Sequence, residues 1–307
     1  ASAGVVSIVT ETPDMQRRGP RLQVSLRGGS LGYVSPSLRY QQRLRDSTSI
    51  AFDGTFLRAD GNYPFTLRNG RMVTRERRSG SDVSVWQGEG NLRHAFAGGS
   101  LHVKGQATRS ERGLPGGVIL YNHNNRERMW DEDYALQALF RRTICEGRWT
   151  MVARGKYSHA WSHYDDINVK YANGRQTDLN SQSECYGSVS LAWQPQQHFG
   201  LSVAEDVIYG ALTNNIYDGA EPWRLTSLTA LSARYACRNV NIDAHLVGIA
   251  AQDRRTLSAG HREHIDRHRL TPSLSLSWRP FQQTPLYVRA MLKHTFRMPS
   301  FNDLYYR

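Results

Sequence analysis

The chain has no run of eighteen or more apolar residues, and its mean hydropathy is −0.58. That excludes a bundle of transmembrane helices. It leaves a membrane β-barrel open, because half of each barrel strand is polar. Lysine is scarce: Lys104, Lys156, Lys170 and Lys293 are the only four among 39 basic residues. Cysteine is scarcer still. Cys145, Cys185 and Cys237 are widely spaced, form no CxxC pair and give no disulfide framework, so they read as unpaired packing residues. No helix-turn-helix, RNP or zinc-finger spacing occurs, which weakens nucleic acid as a partner. No HExxH is present, and no enzyme is expected. The start, Ala1–Thr10, is short and has no basic n-region, so it is no secretory signal. An outer-membrane protein needs such a signal, so the chain is expected to be processed or a fragment.

What the chain does have is a two-residue rhythm. Leu270, Pro272, Leu274, Leu276 and Trp278 alternate with Thr271, Ser273, Ser275, Ser277 and Arg279. Successive strand side chains point to opposite faces, so one face is oily and the other wet. After Pro280–Pro285 the rhythm resumes with Leu286, Val288, Ala290 and Leu292. Val34–Gln41 and Tyr186–Trp193 show the same split. Thirteen such strands are expected: Leu22–Arg27, Gly32–Leu44, Ser49–Leu57, Asp82–Phe96, Ser100–Thr108, Asp133–Thr143, Trp149–Ser158, Ser183–Gln194, Gly200–Tyr209, Leu225–Ala236, Val240–Ala251, Leu270–Arg279 and Leu286–Phe296.

The connections alternate in length. Arg45–Thr48, Ala97–Gly99, Ile144–Arg148, Pro195–Phe199, Cys237–Asn239 and Pro280–Pro285 are short. Arg58–Ser81, Arg109–Glu132, His159–Gln182, Gly210–Arg224 and Gln252–Arg269 are long. A soluble sandwich has no reason to keep that order. A barrel inserted from one side of a membrane does. Tyr40, Trp161, Trp193, Trp223 and Trp278 near strand ends suit an interfacial girdle. The expected fold is therefore all-β: an antiparallel transmembrane β-barrel, incomplete at about thirteen strands. An odd, open set leaves two bare edges, which points to part of a larger barrel or an assembly of chains. The alternative is a soluble or surface-attached β protein that binds anionic glycan or nucleic acid through its arginines. It would fold around a dry, apolar centre. The formal charge of +12 and a pI near 9.9 allow either.

Four stretches carry a family resemblance. The run from Phe296 to Tyr306, FRMPSFNDLYY, closely resembles the F-R-x-P-[ST]-F-N-[DE]-L-Y stretch of TonB-dependent outer-membrane receptors. The run from Ala3 to Thr10, AGVVSIVT, resembles the strand that ends their plug domain. Asp60–Phe65 and Ser110–Gly116 resemble loops of Bacteroidetes members similar to vitamin B12 and siderophore receptors. The resemblance implies a plugged 22-strand-type barrel in the Gram-negative outer membrane. Residues 1–20 would close the plug and link it to a partial barrel over 21–307. It implies TonB-powered import of a scarce, bulky nutrient, such as a corrinoid, siderophore or haem-like chelate. The TonB box, most of the plug and the last strands are missing, so this piece alone is not expected to transport.

Several residues are candidate sites. Arg109, Arg112, Tyr121, Arg126, Arg128 and Trp130 share one expected outer loop and could cap an anionic or aromatic ligand. The same loop could equally be a basic surface facing lipopolysaccharide. Arg68, Arg71, Arg75, Arg77 and Arg78 could meet outer-leaflet phosphates or form a charged loop. Asp165, Asp166 and Asp178, with Asn168, Asn173 and Asn180, offer oxygen ligands for calcium, as some vitamin B12 receptors use loop aspartates. No other cofactor is expected. His261, His264 and His268, near Glu263 and Asp266, offer H-x2-H-x3-H, which is no established zinc spacing. In the family-like stretch, Arg297 and Pro299 shape the bend after the last strand, and Asn302 and Asp303 read as structural.

Overall fold

The computed structural model describes residues 19–117, 126–215, 221–256, 262–281, 283 and 286–299. The expected end of a plug, at residues 1–18, lies outside them. There is no helix among the described residues. Fifteen strands form: β1 (Arg21–Gly28), β2 (Val34–Arg45), β3 (Thr48–Ala59), β4 (Pro64–Asn69), β5 (Met72–Arg77), β6 (Val83–Phe96), β7 (Gly99–Gly113) and β8 (Arg128–Ile144). They continue with β9 (Trp149–Ile167), β10 (Arg175–Gln196), β11 (Phe199–Asn214), β12 (Trp223–Ala236), β13 (Val240–Thr256), β14 (Arg262–Trp278) and β15 (Val288–Lys293).

Thirteen of them make one antiparallel meander, each strand paired with the next of the thirteen in sequence. They correspond one to one with the thirteen expected segments. Strands β4 and β5 form a separate two-stranded hairpin inside the expected Arg58–Ser81 loop. The sheet is not closed: β1 and β15 each have a single partner.

Three corrections concern lengths, one of them the expected Gln252–Arg269 loop, where β13 runs to Thr256 and β14 starts at Arg262. The expected His159–Gln182 loop is mostly ladder, with β9 running up to Ile167 and β10 starting at Arg175. Likewise β7 runs on to Gly113 and β8 begins at Arg128. The apolar alternation stops where these ladders go on. Polar strand and polar loop then look alike in sequence.

The register sorts side chains into two faces. Val24, Leu38, Gly54, Gly88, Ala107 and Tyr134 lie directly across from one another in one row. The neighbouring row on the opposite face carries Gln23, Arg39 and Asp53. The polar face is the crowded one. Ser49, Ser188, Thr226 and Asp253 are buried on it, whereas Leu22, Val24, Leu26 and Leu292 stand exposed on the apolar face. Among the described residues only Ala51, Leu212 and Ala251 are buried hydrophobics. A soluble fold of this size needs far more, so the dry centre that the soluble reading requires does not form.

Aromatics edge the apolar face at two levels. At the short-turn end, Trp149 stacks on Trp193 at 5.8 Å, Trp193 meets Phe199 edge-on, and Phe96 stacks on Phe140. At the long-loop end, Phe56 packs on Trp86 at 4.2 Å and Tyr209 lies against Trp223. From Phe199 to Tyr209 along β11, a strand tilted by about 40° climbs about 25 Å, the height of a barrel's hydrocarbon band.

Candidate functional site

The polar face is the first candidate surface, because cross-strand ion pairs run along it. Arg39 donates to Asp53 at 2.5 Å, Lys104 meets Glu89 at 2.8 Å and Lys156 meets Glu184 at 3.1 Å. Tyr186 donates to Asp206 at 3.3 Å. Each pair bridges adjacent strands, which is the sheet's own way to satisfy charge. Near the loop end, Asp253 is buried and accepts from both Arg224 and Arg267. Two Arg224 nitrogens serve Asp253, and the third donates to the carbonyl of Pro299 at 2.5 Å. The guanidinium of Arg269 stands over the Phe296 ring. So the segment after β15 leans back across the polar side of β14 and β13. Sequence reasoning missed this triad, since its members are spread over 44 residues and only the register unites them. Arg297 and Pro299 lie in the non-strand segment 294–299 that follows β15. Asn302 and Asp303 fall outside the described residues.

The expected ligand loop comes apart. Arg109 and Arg112 are on β7, and Arg128 and Trp130 are on β8. Arg112 points to the polar side and binds Asp131 at 2.9 Å. Arg109 lies on the apolar side, its Nε 3.4 Å from Glu132. Arg128 bridges Asp82 and Glu111, both at 2.7 Å, and these carboxylates hold its charge more firmly than usual. Trp130 packs against His163 with its ring tilted, centroids 4.9 Å apart. Of the four residues on strands, Arg109, Arg128 and Trp130 share the apolar side and Arg112 faces away from them. Arg126 is in the β7–β8 connection, and Tyr121 lies outside the described residues.

The calcium candidates are also on strands. Asp165 and Asp166 are successive residues of β9, so they face opposite ways, and Asp178 is on β10. Asp165 accepts from Arg175 at 2.5 Å and from Thr177. The bond from Arg175 keeps its carboxyl below the usual aspartate range despite burial. Asp166 is fully buried and takes Lys170 and Tyr171, each at 2.8 Å. Burial, with Glu127 and Asp166 nearby, pushes the Tyr164 phenol up to about 12. Asn168 accepts from the Lys170 backbone, a turn role rather than a ligand role. Among the described residues no three His, Cys, Asp or Glu side chains gather as a metal site. That applies to His264 as well, which instead meets Asp266 at 3.2 Å. His261 is outside the described residues.

Gly28–Gly32 spells G-x-S-x-G, the letters of a serine-nucleophile elbow. The structure makes it the β1–β2 turn, with the Tyr33 amide donating to Ser30, and no helix follows. The three cysteines are unpaired as expected, but they are exposed rather than packed.

No family model and no curated protein matches the chain. Solved structures do. The iron transporter FrpB of Neisseria meningitidis superposes with a TM-score of 0.65 at 8% identity, over 87% of this chain and 45% of that one. The copper transporter OprC gives 0.63 at 14% identity, over 92% and 46%. The siderophore receptor PiuA of Acinetobacter baumannii gives 0.61 at 7% identity, over 87% and 48%. This chain spans somewhat under half the length of each of these proteins. It has the fold of an open portion of the β-barrel wall found in such outer-membrane receptors.

Proposed function

We propose that the chain is part of the wall of a TonB-dependent receptor in a Gram-negative outer membrane. As part of a complete protein it would import a scarce, bulky nutrient such as a siderophore, haem-like chelate or corrinoid, and it is not an enzyme. The observation that supports this best is the division of faces. One side is apolar between two aromatic levels about 25 Å apart, and the other is lined with paired charges. Such a wall suits lipid outside and a hydrated or plugged lumen inside. In this orientation the short turns are periplasmic and the long connections are external.

TonB, a plug formed in part by residues 1–20, and a small chelate ligand are the partners the reading carries. A calcium role for the aspartates does not belong to it, because Asp165 and Asp166 already have cationic partners. The test uses the complete gene. Deleting it should abolish growth on one limiting nutrient among ferric siderophore, haem and cobalamin. Deleting TonB should do the same. Growth unaffected under every limitation would overturn the transport reading.

A further inference from the structure

On the apolar face, the sheet carries a depression of about 560 Å³ across β2, β3, β6, β7 and β8. A second hollow of about 400 Å³ shares Phe52, Gly88, Ala107 and Tyr134 with it. The floor is Gly54, Gly88, Gly90, Gly105 and Ala107. Phe52, the Phe56–Trp86 pair and Tyr134 frame it. Glycine weakens a strand interior and usually marks a bulge or a close approach by another molecule. The β3–β6 and β6–β7 registers run without a shift, so no bulge explains these glycines. A side chain would fit: a Cβ on Gly88 or Gly90 meets nothing within 4 Å, and on Gly105 only Leu136 at 3.8 Å.

The depression has one cationic end. Arg109 is part of its lining, and Arg58 is the next outward position beyond Phe56 on β3. Both are two-thirds exposed, and both hold their acids loosely: Arg109 meets Glu132 at 3.4 Å, Arg58 meets Asp60 at 3.6 Å. These are long contacts for charged groups, so the guanidiniums keep N–H groups for another acceptor. From Gly105 to Arg109 along β7 is about 13 Å. A trough of that length, floored by glycine and alanine, framed by aromatic rings and ending at an arginine beside the loop-end aromatics, has the layout of one leaflet of a bilayer. A comparable hollow at the short-turn end, between Trp193 and Leu246, has no Lys, Arg, Asp or Glu in its lining.

We infer that this depression seats an acyl chain of a phosphorylated outer-leaflet lipid whose phosphate is held by Arg58 and Arg109. The inference rests on the outer-membrane reading. The test uses the complete protein of which this chain is a part, in membrane nanodiscs, read by native mass spectrometry. The probes are bisphosphorylated lipid A, the same lipid freed of phosphate, phosphatidylcholine, and inorganic phosphate as a competitor. The phosphorylated lipid should be retained roughly tenfold better than its dephosphorylated form. The double variant R58Q/R109Q should erase that preference. G88V/G105V, which the backbone accommodates, should lower retention of both lipid A forms. Equal retention with and without phosphate, or no response to either variant, would overturn the seat. So would full displacement by inorganic phosphate, which marks a free-anion site with no role for the trough. A chain that inserts but shows these results sinks the seat alone. A chain that stays in the aqueous fraction sinks the outer-membrane reading as well.

Discussion

Glu205 is a carboxylate in the middle of the apolar face. On β11 it lies six residues from Phe199 and four from Tyr209, across from Val189 and Thr229. Its two oxygens each accept a hydroxyl, from Ser227 and Thr229, at 2.5 Å. An ionisable group at that depth in hydrocarbon is costly, and the two donors are what make it tolerable. Glu205→Val should therefore stabilise the inserted sheet by about 1–2 kcal/mol, read from urea unfolding in lipid vesicles. The double variant S227A/T229A should destabilise it, and a neutral result would mean that the hydroxyls do no such work. A second residue-scale cost sits in the β8–β9 turn. The Arg148 amide donates to the Cys145 carbonyl, and Glu146 and Gly147 have φ of 56° and 92°. This is a type I′ hairpin turn, which favours Asn or Gly where Glu146 stands. Glu146→Asn should raise stability by about 0.5–1 kcal/mol in the same assay. Neither feature was legible beforehand. Glu205 interrupts the alternation like any stray charge, and its partners are more than twenty residues away in sequence.

At the scale of elements, β9 and β10 are longer than the apolar band needs. At 22 residues β10 is about 70 Å long and, tilted by about 40°, climbs about 55 Å, roughly twice the band height. Their far ends must be held by side chains rather than by lipid. The Asp165–Arg175 pair and the Asp166 contacts to Lys170 and Tyr171 sit there. Asp165 titrates below its ordinary value of 3.8 when folded, mainly because Arg175 bonds it. A depressed carboxyl adds stability above its unfolded value and loses it as pH falls through the folded one. The upper β9–β10 hairpin should be protected at neutral pH and begin to loosen below about pH 4. Hydrogen exchange of residues 160–180 between pH 7 and 3 would read this, with exchange rates corrected for intrinsic pH dependence. In Asp165→Asn the corrected protection should already be low at pH 7 and change little with acid. This region also shows where sequence reading stopped working. Strand cores such as Val189–Trp193 and Leu270–Trp278 were plain, because apolar and polar side chains alternate there. The extensions were not, because their residues answer only to local pairs. The β4–β5 hairpin was hidden for the same reason, its arginines masking Phe65 and Leu67.

For the whole molecule, the three cysteines serve as natural depth markers. Cys145 and Cys237 lie at short turns, on the same end of the sheet as Trp149 and Tyr235. Cys185 lies on the apolar face, directly across from Tyr157 and Tyr209. All three are exposed and unpaired, so reactivity depends on what surrounds the sheet rather than on packing within it. If the apolar face meets lipid and the long connections are external, a membrane-impermeant maleimide added to intact cells should label none of them. After the outer membrane is permeabilised, Cys145 and Cys237 should react while Cys185 stays shielded. A lipophilic maleimide should reach Cys185 in both conditions. The pattern is diagnostic because a soluble sheet would give all three thiols to a hydrophilic reagent, and an inverted barrel would give Cys145 and Cys237 to it in intact cells. The pattern of connections in the sequence already implies this orientation, since short turns and long loops alternate along it. The apolar and polar faces add the chemical reason: one sheet surface that only hydrocarbon can cover, and one whose charges are paired strand to strand.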